Sequence, residues 1–227
     1  MIDLDLFEAM RTTFACREFT DEPLPDDTLA SILDRARFAP SGGNRQGWRV
    51  IVVRDSKTRQ ALAELTAPAA KRYAAQLSAG ENPWNPIDRS AVDPGTIERT
   101  PAPARLTEPL VRAAVVLVVC VDLKVVAATD QFLERVGVVP GASVYPFAWN
   151  ILLAARHEGF GGTITTLAVA EEPKVQALLG IPRHVAVCAV MPLGRPVRQL
   201  TTLRRKEVPE FTMRERWGGQ PLAVSRR

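Results

Sequence analysis

Residues 143–158, SVYPFAWNILLAARHE, read as a helix that is apolar on nearly every side: Val144, Tyr145, Phe147, Trp149, Ile151, Leu152 and Leu153 cannot share one stripe. Such a helix must be covered all round, either by a large core or by a second subunit. With 227 residues the chain can build one domain with a sizeable core, or two small ones. For a chain of this length the interface reading is preferred, and it predicts a dimer.

The rest of the chain supplies elements for that helix to pack against. Residues 3–12 place Leu4, Phe7 and Met10 on one helical face. After Pro23 and Pro25, Asp26 or Asp27 can cap a helix running through Phe38, with Leu29, Ile32, Leu33 and Ala36 buried. The segment APSGGNRQG is a loop, Trp48–Arg54 a β-branched strand, and Ser56 caps a further helix reaching about Ser78. Val111–Val121 and His184–Met191 are continuous apolar runs expected as buried strands. Glu172–Leu179 is a helix ended by Gly180 and Pro182. Between about 80 and 109, prolines recur and no period survives, so a long irregular loop is expected, as either a functional lid or a disordered stretch. From about 194 to 227 the chain is expected to be extended, wrapping over another surface. Neither repeats nor a domain boundary are visible, and the reading is one domain over 1–227.

Charge and cysteines narrow the function. The formal charge is +4, but acidic and basic residues interleave along most of the chain. Cations gather only between Arg195 and Arg216, a cluster that marks either a solvated surface or an anion-binding place. Basic residues do not alternate with aromatics in a groove-like pattern, so no nucleic-acid partner is expected. Cys16, Cys120 and Cys188 are widely spaced, and the last two lie in apolar runs, where they read as small buried hydrophobes. The start of the chain, MIDLDLFEAM, is acidic, unlike a signal peptide, and no apolar stretch approaches the ~20 residues needed to span a bilayer. These features predict a soluble, cytoplasmic protein with no membrane partner.

Self-sufficient catalytic machinery is missing from the sequence. His157 and His184 sit in helix and strand patterns and read as structural residues; there is no nucleophile elbow, H-E-x-x-H or Walker sequence, and no metal site is expected. EGFGGT follows a helix and lacks the spacing of a dinucleotide fingerprint. A chain without such groups has to import its chemistry as a cofactor. The segments suited to holding a phosphorylated ring are Arg17, the Ser41-Gly42-Gly43-Asn44 turn, the backbone from Gly161 to Leu167, and Arg204-Arg205.

The order of these segments resembles the nitroreductase family. The resemblance begins at TFACREF (13–19) and TDEPLP (20–25), and runs through APSGGNRQGW (39–48) and EGFGG (158–162). It closes with LLGIP (178–182) and LRRK (203–206), so it covers nearly the whole chain. The A-P-S-x-x-N-x-Q-x-W element is its specific part. It implies an α+β sandwich with a central mixed or antiparallel sheet flanked by helices, dimeric through the buried central helix, with one FMN in each of two interface sites. It implies electron transfer from NADH or NADPH to a small acceptor such as a nitroaromatic or quinone, in ping-pong order.

By the same resemblance Arg17 and Arg205 hold the FMN phosphate, and Pro40, Ser41 and Gly42 line the flavin with Asn44 nearby. Ser143 offers a polar contact, the Ile164-Thr165-Thr166 backbone faces the ring edge, and Lys71 or Arg72 reaches its pyrimidine side. No side chain is assigned as a catalytic acid. Thr13, Phe14 and Ala15 stand where the family has two basic residues and a serine. The family's breadth also permits reductive dehalogenation or flavin fragmentation on this scaffold, and the altered first motif permits a non-catalytic flavin-binding or redox-sensing protein.

Overall fold

In the computed structural model, which describes residues 4–222, the apolar run VVLVVCVD has no polar face to give to water. It forms β2 (Val115–Asp122), buried along seven of its eight residues. Antiparallel partners cover its two edges: β1 (Trp48–Val53) on one side and β4 (Val185–Gly194) on the other. The short β3 (Gly161–Gly162) completes the order β1-β2-β4-β3. Among the described residues the strands pair antiparallel, and parallel pairing enters only through the isolated bridge between Ala15 and Gly162.

Side-chain alternation along β2 then builds two cores. Val115, Leu117, Val119 and Val121 face α2 (Asp26–Ala36) and α6 (Tyr145–His157). Val116, Val118 and Cys120 face α3 (Ser56–Ser78), α5 (Ala104–Arg112) and α7 (Glu172–Leu179), which contribute Leu62, Leu110 and Val175. The register of β4 slips by one residue, since Val119 pairs with Ala189 but Cys120 pairs with Val187. Cys188 is therefore the extra residue of a β-bulge, and it turns to the same core as Ala189.

The α6 helix meets most of its apolar demand inside the subunit. Phe147, Ala148, Ile151, Leu152, Ala154 and Ala155 are buried against α2 and the sheet, leaving Tyr145 and Trp149 on the open side. The core of the subunit covers most of this helix, and Tyr145 and Trp149 remain open for a further surface.

Several expected boundaries move. The first helix, α1 (Leu6–Thr12), buries Ala9 and Thr12, while Phe7 and Met10 face outward. Pro25 occupies the N-cap position of α2, with Asp26 and Asp27 in its first turn, and the helix stops at Ala36. Asp55 caps α3 in place of Ser56, its carboxylate accepting the Thr58 N–H at 2.7 Å. The stretch 80–109 is not structureless. It contains α4 (Pro94–Arg99) and most of α5, which also claims Val111 and Arg112 from the expected strand. Pro94 stands in the first turn of α4, where its missing N–H costs nothing, and the Asp93 carboxylate accepts from Thr96 N–H. The C-terminal segment is irregular apart from α8 (Val208–Phe211), held by reciprocal bonds between Glu207 and Glu210. Residues 223–227 of that segment, and residue 3 of the first helix, lie outside the described residues.

Gly162 is where the sheet edge and the N-terminal segment meet. A Cβ there would stand 2.4 Å from the Pro192 carbonyl oxygen, a backbone atom unable to move aside. Gly162→Ala is expected to lose about 1–3 kcal/mol of stability, as overpacking does. Urea unfolding checks this, and an unchanged midpoint would show that the β3–β4 pairing is looser than its geometry.

Candidate functional site

The loop between α2 and β1 has three positive φ angles in four residues: Gly43 at 61°, Asn44 at 53° and Gln46 at 49°. Glycine and asparagine enter the left-handed region readily, whereas glutamine needs support. Ser41 supplies it, its Oγ accepting the Gln46 N–H at 2.9 Å and its carbonyl accepting the Asn44 N–H at 2.9 Å. The Gln46 side-chain amide donates to Asn44 Oδ1 at 3.2 Å. The loop is thus tied to itself, with Gly42, Gly43 and Asn44 exposed.

Two contacts aim the loop. Trp48, the first residue of β1, stacks on Phe147 of α6 with ring centroids 4.8 Å apart and planes 5° from parallel. Just before α6, Ser143 Oγ accepts the Gly42 N–H at 3.1 Å. This bond brings together sequence positions about a hundred residues apart.

Ser143 itself ends a tight 3-10 turn, Val139–Ser143. The open start of that turn is satisfied by Asp130, whose Oδ2 accepts from Val138 N–H at 2.7 Å, Val139 N–H at 3.2 Å and Arg135 Nη1 at 2.9 Å. Sequence reasoning missed Asp130, because a carboxylate eight residues ahead of the groups it caps leaves no local motif. Its side chain is only 4% exposed, and the Val138 N–H, ahead of the Arg135 and Val139 bonds, holds its carboxyl down at about 2.

On the other side, Tyr145 O–H donates to the Cys188 carbonyl at 3.3 Å, at the β4 bulge. Burial raises the Tyr145 phenol above its usual range, so it stays a neutral donor. Two residues past the bulge, Val190 exchanges backbone bonds with Thr165 at 2.8 and 3.1 Å. The bulge therefore links the Ser143 end of α6 to the segment 164–166. Within that segment the Thr165 amide is used by β4, while those of Ile164 and Thr166 have no partner among the described residues. Pro40, next to Ser41, is exposed at the entry to the loop.

The remaining candidates are not bonded to this cluster among the described residues. Arg17 is exposed, donates to the Ala15 carbonyl at 3.3 Å, and lines a cleft with Arg105, Glu108 and Arg112. Arg205 is exposed on the C-terminal segment and donates to the Arg204 carbonyl at 2.8 Å. Among the described residues no hydrogen bond or ion pair joins either arginine to Ser41–Gln46 or to Ser143. Thr13 is buried and closes α1 through a 2.7 Å bond from its Oγ to the Ala9 carbonyl; Phe14 is half-buried and Ala15 exposed. Lys71 donates to the Glu98 carbonyl at 3.0 Å, and Arg72 stacks on Trp84, so both belong to the surroundings of the 80–99 segment.

The cysteine thiols are held protonated. Burial, as the leading cause, pushes the Cys120 thiol up to about 11 and Cys188 to about 12, so both stay protonated. Among the described residues no group of histidine, cysteine or carboxylate side chains is arranged to hold a metal ion, and no helix is long and apolar enough to cross a membrane.

Asp130 provides a test of how the site is held. Its folded-state pKa lies below the ordinary aspartate value of ~3.9, so its contribution is complete above about pH 4 and is lost as pH falls through about 2. Asp130→Asn is expected to remove that acid-limb loss and to speed hydrogen exchange across 136–144 at neutral pH. Wild-type exchange rates in the variant would mean that the carboxylate does not hold the turn.

A profile of the Nitroreductase family matches residues 10–195. An NADH dehydrogenase of Thermus thermophilus is 29% identical over 206 residues, which span 86% of this chain and 89% of that protein. Iodotyrosine deiodinase 1 of Rattus norvegicus is 23% identical over 218 residues, 91% of this chain and 68% of its own. The NADPH:FMN oxidoreductase of Vibrio harveyi, solved in complex with NAD+, superposes with a TM-score of 0.60 at 22% identity, over 88% of this chain and 72% of that one; the likeness speaks for the fold. The matched stretch runs from α1 to the end of β4 and contains the Ser41–Trp48 element, and the chain belongs to the nitroreductase family.

Proposed function

We propose that this protein is an FMN-dependent oxidoreductase that passes electrons from NADH or NADPH to a small acceptor, such as a nitroaromatic or quinone, and works as a homodimer in the cytoplasm. The observation that carries the reading is the convergence of the Ser41–Gln46 loop, Ser143 and the 164–166 segment through the β4 bulge. The groups left free there suit a phosphorylated ring. Pro40, Ser41 and Gly42 offer close backbone approach, with the Asn44 amide beside them. Ile164 and Thr166 keep unpartnered N–H groups, so they, and not Thr165, are the donors this segment has left for a ring edge. Arg17 and Arg205 pair with no carboxylate among the described residues, and guanidinium forks suit a phosphate.

FMN, when bound, supplies the two-electron chemistry that the side chains lack. The chain's part is to bind and orient: the rigid Ser41 loop holds the ring's position, the free amides offer donors to developing negative charge, and water supplies protons. The nicotinamide and the acceptor take the same place in turn, which gives ping-pong kinetics. The Vibrio harveyi oxidoreductase and the Thermus thermophilus dehydrogenase support this reading by name. The deiodinase relatives favour a second one, reductive dehalogenation on the same scaffold. Steady NAD(P)H oxidation with a quinone distinguishes the two.

The dimer is supported by apolar side chains left in water by the single subunit. Phe7 and Met10 on α1, Phe132 and Val136 after β2, and Phe211 and Trp217 near the C-terminus are all more than 40% exposed. Sedimentation is expected to give a dimer, and a stable folded monomer would count against this arrangement. Purified protein is expected to absorb near 370 and 450 nm, approximate positions for an oxidised flavin. Arg17→Ala and Arg205→Ala should each weaken FMN retention by roughly ten- to a hundredfold without unfolding the chain. Unchanged retention in both variants would place the phosphate elsewhere.

A further inference from the structure

The segment 80–93 is built to hold one side chain over a cavity. Gln76 of α3 is buried; its Oε1 accepts the Trp84 N–H at 3.2 Å, and its Nε2 donates to Glu81 Oε2 at 3.2 Å. Glu81 in turn accepts from Ser90 Oγ and Ala91 N–H, both at 2.7 Å. Trp84 is fixed by this network at a φ of 57°, a conformation that a tryptophan keeps only when its surroundings impose it.

Trp84 stands between two spaces. One, of about 740 Å³, lies between α3 and α4; the other, of about 490 Å³, is lined by Tyr73, Pro83, Thr166 and Leu167 and reaches the segment proposed to meet the flavin. Ala69, Trp84 and Ala170 are walls of both. Charged groups facing the larger space are Glu64, Glu98, Glu171, Lys71 and Arg72. Glu64 and Glu98 are exposed at the rim, Glu171 pairs with Lys174 at 2.6 Å, and Lys71 is bound to the Glu98 carbonyl. Arg72 is different. Its guanidinium lies 4.4 Å from the Trp84 ring centroid, and its Nε is enclosed with no acceptor. Arg59 also has an enclosed Nε without an acceptor, but it donates from Nη1 to the Ala113 carbonyl, and the Arg195 guanidinium, Nε included, pairs with Glu22. Among the described residues Arg72 donates a hydrogen bond to no protein acceptor from any nitrogen.

A buried donor without an acceptor is costly, and the Arg72 guanidinium, half-buried on the wall of the larger space, has its terminal nitrogens uncommitted and open to an anion. We infer that the two adjoining spaces around Trp84 are the acceptor site of the proposed oxidoreductase and take a planar aromatic carrying a carboxylate, which Arg72 binds while the ring lies along the apolar walls toward Thr166. The site is selective because the uncharged walls admit many rings, whereas the one unanswered cation favours those with an anionic substituent. The exposed rim carboxylates are screened by water and oppose this only weakly.

The inference rests on the oxidoreductase reading, so the test begins with binding and not turnover. Benzoate and its neutral isostere benzamide are titrated into the purified holoprotein by calorimetry. Benzoate is expected to bind about tenfold more tightly, and Arg72→Gln to remove that difference while leaving the thermal midpoint unchanged. Arg72→Lys keeps the charge and should restore part of the preference, which also covers failure of the glutamine variant to fold. In turnover, Arg72→Gln should raise KM for 4-nitrobenzoate about tenfold and change KM for 4-nitrobenzamide and NADH by less than about twofold. Equal binding of benzoate and benzamide to wild type, or a preference that survives Arg72→Gln, overturns the assignment. Benzoate preference at Arg72 in a protein that does not oxidise NAD(P)H would instead refute the oxidoreductase reading and keep the site.

Discussion

The structure depends on β2 having no side that can face water. A strand buried on both faces needs a layer of helices on each, and the two cores follow from the alternation of Val115–Val121 between them. Both edges of β2 are taken as well, by β1 and β4. Those two strands carry the site: β1 begins where the Ser41 loop ends, and β4 holds the bulge at Cys188. A residue added to β4 re-aims the strand and turns a backbone carbonyl toward Tyr145. The same irregularity that corrects the packing register thus joins α6 to the 164–166 segment.

The site contains little that resembles catalytic machinery and much that resembles scaffolding. Ser41 spends its hydroxyl on Gln46, Ser143 spends its own on Gly42, and Asp130 spends a carboxylate on the turn before Ser143. Each bond fixes backbone, and the groups left over are mostly N–H donors and cations. Such a surplus suits an electron-rich, phosphorylated ligand, and a site held this firmly changes little when its ligand arrives. Cys120 and Cys188 lie close by in β2 and β4, where burial pushes both thiols up and they pack as small hydrophobes.

Much of this was legible in the sequence where a period or a local motif existed. The strands, α2, α3, α6 and α7 stand within a few residues of their expected places, and the A-P-S-x-x-N-x-Q-x-W element marked the loop that Ser143 supports. Proline density misled between 80 and 109: Pro94 opens a helix and Pro109 sits inside one, so the residues that normally interrupt helices were counted against helices that exist. Asp130 and Gln76 were invisible for another reason. Each satisfies backbone groups eight residues away, and no spacing rule covers a carboxylate or amide reaching into a loop.

The helix α1 shows how a correct pattern can be assigned to the wrong surface. Its Phe7 and Met10 do share a face, but in the subunit that face is open, and burial goes to Ala9 and Thr12, beside Arg156 of α6. For α6, much of the apolar circumference is covered within one chain, and Tyr145 and Trp149 are the part left for an interface. Hydrophobic periodicity reports that a face must be covered, not what covers it. The apolar side chains still uncovered, on α1, after β2 and along the C-terminal segment, are therefore a better guide to an interface than the most apolar helix, because the subunit has used most of the latter already.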